Sequence, residues 1–294
     1  MKFELTKVWG FEHALRGMRN PKNSWDRSDS TYDIYDVTRG DITIKELKEY
    51  DSNAYVDFVY APNGVEEIYR AFIMGENDKK LVQGLIRGGS EHRKFMRQIF
   101  ISLDITAPLY WWKEYDTYKV GTTANSTSTM HKIHASDITI ANFETDDYEP
   151  SLNVKYDYYN NEYDCMDSIE IDLNEEVNEF ISVLEGLRKS YLEYTKKSKD
   201  KEHYTEEERK EFKRIAKKFW KELIRWTPES WLQTRTVTLT YENIYAMTHQ
   251  REFHKLNEWS GIDDEELENF IKWVKLLPYV NQTIFLDKAE NINE

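Results

Sequence analysis

The segment MRQIFISLDITAP, from Met96 to Pro108, predicts the central strand of this protein and the turn that follows it. Its apolar residues are Ile99, Phe100, Ile101, Leu103 and Ile105. Such a run over 97–105 is typical of a strand that is buried on one or both faces. Proline is well tolerated in the first turn of a helix. We therefore expect the strand to pass through Ala107 and Pro108 into a helix that reaches Tyr118.

The expected helix is aromatic and leads into a stretch rich in hydroxyl groups. Trp111, Trp112 and Tyr115 are expected to fill the core or a subunit interface rather than to stack on a cofactor. Gly121 then precedes TTANSTST, residues 122–129, which holds six Ser and Thr residues in eight positions. Two interpretations stay open for this stretch: a ligand-binding loop, or a solvated loop or edge strand.

The composition predicts an ordered chain of the α+β class. Aromatic residues make up 14% of the 294 residues, which argues against disorder and leaves ample length for a core. The small numbers of Gly and Pro, 11 and 6, favour long regular elements. We expect a single α+β domain over 1–294, with a small mixed or antiparallel sheet and long flanking helices. One cysteine and no long apolar run predict a cytoplasmic protein that does not enter membranes.

Hydrophobic periodicity places the remaining elements. The pattern predicts strands at 2–9, 42–44, 55–60 and 234–241, helices at 11–18 and 79–87, a helical hairpin around 173–227, and a helix ending near 250. Capping-box spacing at Thr205 and Glu208 predicts the start of the second hairpin helix. The same spacing at Asp263 and Glu266 predicts a last helix, with Phe270, Trp273 and Leu277 directed inward.

Charge is concentrated in one part of the chain. The net charge is −14, and residues 137–185 alone hold 15 acidic residues against one lysine. This distribution disfavours binding to a nucleic-acid backbone, and the acidic block over 137–185 is expected to be a solvated face. Residues 136–172, which include an acidic insertion around 137–172, are expected to form acidic and Tyr-rich loops. The acidic neighbours of Cys165 predict a protonated, unreactive thiol that is buried or half-buried. Basic residues over 188–225 are expected to be ordinary surface patterning.

The order of strand, Ala-Pro, aromatic helix, glycine and hydroxyl-rich turn resembles the flavin-dependent thymidylate synthases. Their motif R-H-R-x-x-S-x-N-E-x-S-x-R-Y falls, without gaps, on TYKVGTTANSTSTM, residues 117–130. Lys119 stands at the second arginine, and Thr122 and Thr127 stand at the two serines. Thr117 and Thr129 replace the first and last arginines, which the family uses to hold flavin and nucleotide phosphate. The other departures are Tyr118, Ala124, Asn125 and Met130.

Further segments are similar to parts of the same family. FEHALRGMRNPKNSW resembles its first helix, and LVQGLIRGGSEHRKF resembles the helix and His-containing turn before the core strand. PESWLQTRTVTLT places Arg235 on a family arginine. TYENIYAMTHQREFHKLNEW resembles the helix whose last arginine contacts the nucleotide, which puts Arg251 in that role. The resemblance covers pieces from about 11 to 280.

The resemblance implies reductive methylation of dUMP, or of a related pyrimidine nucleotide, with methylenetetrahydrofolate, FAD and NADPH. It implies a homo-oligomer, expected to be a tetramer, with sites between subunits. The residues implied are Arg235 and Arg251 for orienting and polarising the nucleotide, Lys119, Thr122, Asn125, Thr127 and Ser128 for substrate binding, and His92, Tyr118 and Asn243 for the flavin. Convergent cations and small donors are what phosphate recognition requires.

Several alternatives stay open at this point. His131, His134 and Asp137 have a spacing that two imidazoles and a carboxylate can use to bind zinc or iron, although this spacing is common by chance and no metal is expected. His92 is also compatible with an ordinary turn. The protein as a whole is either an enzyme of this class or a non-catalytic scaffold or interaction protein that keeps the fold without the flavin site.

Overall fold

A computed structural model describes residues 1–36, 55–60, 67–264 and 266–286. The chain is an α+β protein with small antiparallel sheets and many helices. It divides into two compact units. The first comprises Met1–Ile105, Glu114–Asn125 and Arg235–Glu294, and the second comprises Thr106–Lys113 and Ser126–Thr234.

The strands form three sheets. They are β1 (Lys2–Trp9), β2 (Thr31–Asp36), β3 (Tyr55–Tyr60), β4 (Glu67–Ile73), β5 (Phe100–Pro108), β6 (Thr123–Ser126), β7 (Asn153–Asn160), β8 (Cys165–Asp172) and β9 (Leu232–Thr240). One sheet has the order β1-β5-β9-β6, the second β2-β4-β3 and the third β7-β8. The antiparallel registers include Thr31 opposite Ile73 in the second sheet and Asn153 opposite Asp172 in the third.

The helices vary widely in length. They are α1 (Phe11–Arg19), α2 (Glu76–Arg87), α3 (Leu109–Tyr115), α4 (Thr129–Lys132), α5 (Leu173–Lys199), α6 (Glu206–Trp226), α7 (Tyr241–Arg251), α8 (Asn257–Ser260), α9 (Phe270–Val274) and α10 (Val280–Thr283). Short 3-10 turns include Arg93–Gln98 and Asp116–Tyr118. Among the described residues, no helix combines the length and the apolar character needed to cross a bilayer.

The passage from β5 into α3 is confirmed. Alternate residues of β5 are buried, as expected for a strand with apolar Ile101, Leu103 and Ile105. The strand ends at Pro108, α3 follows at once, and the 3-10 turn carries the chain on to Tyr118. The predicted strand at 55–60 is β3, whereas 42–44 lies outside the described residues.

The core of the first unit is an aromatic cluster around Phe11. The ring centroid of Phe11 lies 5.3 Å from that of Tyr241 and 5.4 Å from that of Tyr279, both edge-on. The Tyr279 hydroxyl donates to the carbonyl of Phe72 at 2.6 Å and accepts from the amide of Met74 at 3.0 Å. Aromatic edge-to-face contacts of this kind add to the stability gained by burial.

The second unit has its own core beneath the hairpin of α5 and α6. Buried Ile181, Leu184 and Leu223 of the two helices pack with residues of the 133–143 segment. Thr205 and Glu208 form the predicted capping box, since the Glu208 amide donates to the Thr205 hydroxyl and the Glu208 carboxylate accepts from the Thr205 amide. This reciprocal bonding satisfies donors that the first helical turn leaves unpaired.

Three predictions about local structure were wrong. The 136–172 region is not all loop, because β7 and β8 form a hairpin whose residues are mostly exposed on both faces. Cys165 lies on that hairpin and is exposed rather than buried. The helix that carries Phe270 is α9, and it is capped by the Asn269 side chain rather than by the pair Asp263 and Glu266. Phe270, Trp273 and Leu277 are nevertheless buried, as predicted.

Candidate functional site

A cluster of charged side chains in the first unit surrounds the end of α3. Glu114 belongs to the last turn of this helix, and Asp116 begins the 3-10 turn that continues it. Arg251 Nη1 lies 2.8 Å from Glu114 Oε2, and Arg235 Nη1 lies 2.9 Å from Asp116 Oδ1. Both predicted arginines therefore meet carboxylates that are two residues apart in the chain.

Arg251 is held by aromatic groups as well as by charge. Its guanidinium lies 5.6 Å from the ring centroid of Tyr118 and 5.4 Å from that of Trp259. Its Nε donates to the Tyr118 hydroxyl at 2.9 Å, and that hydroxyl donates to Gln250 Oε1 at 2.8 Å. Cation–π contacts and directed hydrogen bonds fix the plane of an arginine side chain, which prepares it for recognition of a flat or bidentate anion.

The surroundings of Arg251 include an imidazole. His254 Nε2 lies 3.3 Å from Glu114 Oε2, so this one carboxylate oxygen faces both a guanidinium and a histidine. The exposed fractions of Arg251, His254 and Glu114 are 18%, 21% and 31%, so the group is partly shielded from water but reachable from solvent. Shielding strengthens these contacts relative to exposed pairs.

Arg235 is less exposed than its carboxylate partner. Its side chain is 15% exposed, whereas that of Asp116 is 46% exposed. The neighbouring Tyr115 is buried. Burial, and after it the charge of Asp116, raises the pKa of the Tyr115 hydroxyl well above its ordinary range, although Arg235 opposes the effect. This hydroxyl therefore stays protonated at neutral pH.

The turn after α3 is tied to α7 by Asn243. Its Nδ2 donates to the carbonyl of Val120 at 2.9 Å, while its Oδ1 accepts from the amide and hydroxyl of Thr240 in a helix cap. Gly121 follows with a φ of 78°, a left-handed conformation that a residue with a Cβ adopts at a cost. Asn243 thus places the start of the hydroxyl-rich stretch.

The other predicted binding residues have different surroundings. Lys119 is exposed, and within the part of the chain that the structure describes its ammonium has no ion-pair partner. Thr122 donates its hydroxyl to the Lys119 carbonyl at 3.1 Å. Asn125 is exposed in β6. His92 is exposed in a turn after Gly88 and is not one of the residues that contact Arg251 in the described part of the chain.

Thr127 and Ser128 belong to the second unit. The Thr127 amide donates to the Thr234 carbonyl at 2.9 Å, and the Ser128 hydroxyl accepts from the His131 amide at 3.2 Å as the cap of α4. The hydroxyl-rich stretch is thus partly the edge strand β6 and partly a helix cap. Among the described residues, no group of three or more His, Cys, Asp or Glu side chains is arranged to hold a metal ion, His131, His134 and Asp137 included.

Sequence reasoning missed four members of the cluster around Arg251 and Arg235. Glu114 and Asp116 lie two residues apart, a spacing that disfavours a catalytic pair on a helix, and the sequence assigns no role to His254 or Trp259. The segment REFHKLNEW, residues 251–259, carries a weak signal, since it places an arginine, a histidine and a tryptophan close together in the chain. The partners of the two carboxylates lie 119 and 137 residues away, which no local pattern reports.

Trp111 and Trp112 are buried in the chain, 0% and 1% exposed, as is Tyr115 at 1%. The Trp112 indole donates to the Gln233 carbonyl at 2.9 Å within the second unit. These residues are core, as the sequence favoured, and they supply no exposed aromatic face for another subunit.

Solved structures of similar fold are known. Flavin-dependent thymidylate synthase ThyX of Helicobacter pylori, in complex with FAD and dUMP, is 14% identical to this chain with a TM-score of 0.49. That match covers 98% of this chain and 99% of the other. A second structure of thymidylate synthase X from the same organism, also with FAD and dUMP, is 13% identical with a TM-score of 0.48, and covers 97% and 98% of the two chains.

The likeness is distant. No protein-family model and no curated protein sequence matches the chain.

Proposed function

We propose that the protein binds a pyrimidine nucleotide at Arg235 and Arg251 and methylates it reductively, in the manner of a flavin-dependent thymidylate synthase. The proposed substrate is dUMP or a related nucleotide, the carbon donor is methylenetetrahydrofolate, and FAD and NADPH carry the hydride. One observation supports the nucleotide site above all: both arginines contact the end of α3, at Glu114 and Asp116.

The two arginines suit an anion because their orientation is fixed before binding. Arg251 uses its Nε and Nη1 in contacts with Tyr118 and Glu114, which leaves its Nη2 amino group for a ligand. Lys119, which has no ion-pair partner among the described residues, adds a positive charge to the turn that follows Asp116. A nucleotide phosphate would share these cations with the two carboxylates, and each charge-assisted hydrogen bond would contribute about 1.5–3 kcal/mol.

The fit to a flavin is weaker. The two positions where the family has arginines carry Thr117, whose hydroxyl donates to the Glu114 carbonyl at 2.7 Å, and Thr129, whose hydroxyl accepts from Gln233 at 3.3 Å. The Tyr118 hydroxyl and the Asn243 amide also bond within the chain. These groups do not form a cationic cradle for a diphosphate, so the proposal of FAD and NADPH rests on the sequence resemblance alone.

Calorimetry with dUMP tests the nucleotide site. Arg251→Ala is expected to weaken dUMP binding about tenfold to a hundredfold, because it removes a charge-assisted contact. Arg214→Ala is the matched control, since Arg214 is 59% exposed on α6 and pairs only with Glu211 in its own helix. Equal dUMP affinities for the wild type and Arg251→Ala would remove Arg251 from the site.

A second candidate is a non-catalytic scaffold or interaction protein. It is favoured by the same ion pairs, because Glu114 and Asp116 already neutralise the two arginines, and by the threonines at 117 and 129. A visible absorption spectrum separates the two functions. A flavin spectrum that survives gel filtration after incubation with FAD supports the enzyme, whereas no retained flavin and no binding of any pyrimidine nucleotide support the scaffold.

The homotetramer is part of the same proposal, since the family places its sites between subunits. Light scattering at micromolar concentration tests it. A monomer under these conditions, with or without dUMP, would contradict the proposed assembly and leave the nucleotide site to be judged by calorimetry.

A further inference from the structure

The second unit contains a cavity of about 540 Å³ beside the hairpin of α5 and α6. The cavity is lined by side chains from both helices and from the 130–134 segment, among them His134, Tyr191, Lys199, Lys213, Lys217 and Trp220. Its volume is within the range of pockets that bind small molecules and cofactors. Its lining shares no residue with the cluster around Arg251.

The charge of this cavity is opposite to that of the protein. Lys199, Lys213 and Lys217 line it and no carboxylate does, although the chain as a whole carries −14. Within the described part of the chain, none of the three ammonium groups has an ion-pair partner. An anion entering the cavity therefore meets three positive charges without first displacing a carboxylate.

Three other lysines of the same two helices are paired. Lys189 lies 3.5 Å from Glu185, Lys197 pairs with Glu193 at 2.5 Å, and Lys210 pairs with Glu206 at 2.6 Å, each four residues apart. Ion pairs with this spacing are the usual stabilising pattern on a solvated helix. Lys213 and Lys217 break it, because they are four residues apart with the same charge, which destabilises a helix unless an anion lies between them.

The cavity also has an aromatic wall with a fixed geometry. The His134 and Tyr191 rings are edge-to-face with centroids 4.9 Å apart. The Trp220 indole donates to the Met130 carbonyl at 3.0 Å, which fixes its orientation. Ala216 is buried at the cavity wall. Such a surface suits a flat ring, since stacking on oriented aromatic groups is favourable for any base.

His134 also lines the cavity. Its Nδ1 atom is buried and has no hydrogen-bond partner among the described residues. Burial, followed by the charges of Lys132 and Arg188, lowers the pKa of His134, so the ring is neutral at pH 7.

We propose that this cavity binds a nucleoside di- or triphosphate, with the phosphates on Lys199, Lys213 and Lys217 and the base against Tyr191 and Trp220. Three lysines without counter-charges match a ligand of two or more negative charges, and lysine binds phosphate as a point charge. The aromatic wall supplies the surface on which the base would stack. This binding is independent of the proposed reaction at Arg251.

Calorimetry with ATP at low and physiological ionic strength tests the proposal. The double variant Lys213→Gln with Lys217→Gln is expected to lose up to about a hundredfold in affinity for ATP, because two charge-assisted contacts are lost. The matched control is Lys189→Gln with Lys210→Gln, which removes the same charge from the same helices. It should change the affinity for ATP less than about threefold.

Further arms identify what the cavity recognises. Inorganic tripolyphosphate and adenosine should each bind at least about tenfold more weakly than ATP, because each lacks one half of the contacts. Arg251→Ala should bind ATP like the wild type, so a failure of the proposed dUMP site leaves this result unaffected. Circular dichroism checks that each variant is folded.

Three results would overturn the proposal. If the wild-type protein does not bind ATP, the cavity is not the proposed nucleotide site. Equal loss of affinity in the control double variant would indicate attraction to general surface charge. Tripolyphosphate that binds as tightly as ATP would show that the aromatic wall does not contact a base.

Discussion

The carboxylate of Glu114 lies between a guanidinium and an imidazole, 2.8 Å from Arg251 Nη1 and 3.3 Å from His254 Nε2. A residue of α3 thereby contacts the last residue of α7 and a histidine three positions after it. The Glu114 carboxylate pairs with the Arg251 guanidinium, which is proposed to bind a phosphate. The carboxylate and the phosphate therefore compete for the same positive charge. The ion pair therefore restrains Arg251 and limits the affinity for an anion at once.

Glu114→Gln is expected to tighten dUMP binding about fivefold, since the amide keeps the shape of the side chain but removes the competing charge. Calorimetry measures the effect. Glu229→Gln is the control, because Glu229 is 54% exposed and pairs with Lys113 in the second unit. Unchanged or weaker dUMP binding by Glu114→Gln would show that the carboxylate does not compete with the nucleotide.

Asp78→Asn is expected to lower the free energy of unfolding by about 3–5 kcal/mol, because it leaves the buried Arg19 without its counter-charge. Asp78 is fully buried, accepts from Arg19 Nε at 2.7 Å, and accepts from the hydroxyls of Ser28 and Ser30 at 2.6 Å. Urea unfolding measures the loss. Glu76→Gln removes an exposed carboxylate that pairs with Lys79, and it should cost less than about 1 kcal/mol. Similar losses in both variants would contradict the assignment.

Glu185 makes the stability of the second unit depend on pH. The hydrogen bond from Arg188, at 2.7 Å, together with the Ile138 amide, lowers the pKa of Glu185 from 4.5 to about 2. The folded pKa is below the unfolded one, so the stabilisation is complete above pH 4.5 and is lost as the pH falls from about 4.5 to about 2.

The urea midpoint of Glu185→Gln should therefore differ from that of the wild type at pH 6. The two midpoints should approach each other near pH 2.5 (about the lower end of this window). Glu193→Gln is the control on the same helix, since its exposed pair with Lys197 is weakly coupled to folding. A difference between wild type and Glu185→Gln that is constant across this range would mean that the carboxylate is not selectively stabilised in the folded state.

Leu184→Ala is expected to destabilise the protein by about 2–5 kcal/mol, because the side chain is fully buried in the core under the α5–α6 hairpin. Leu192→Ala makes the same substitution two turns further along α5, where the side chain is 38% exposed, and should cost less than about 1 kcal/mol. Denaturant unfolding of both variants compares them. Equal costs would place the core of this unit elsewhere.

Local elements were predictable because their signals lie within a few residues. The turn from β5 into α3 follows from an apolar run and a proline, and the start of α6 follows from Thr205 and Glu208. The hairpin of β7 and β8 escaped prediction for the converse reason. Its strands are exposed on both faces, so they lack the alternation of apolar and polar residues that marks a half-buried strand.

Backbone propensity, periodicity and capping act between near neighbours, so the α+β class, the order of the main elements and the cap of α6 follow from the sequence alone. Which charges meet depends on the tertiary fold. Arg235 pairs with Asp116, Arg251 with Glu114, and Lys213 and Lys217 with no carboxylate among the described residues. Ion pairing depends on distance and burial, and folding brings together residues that are more than a hundred positions apart in the chain.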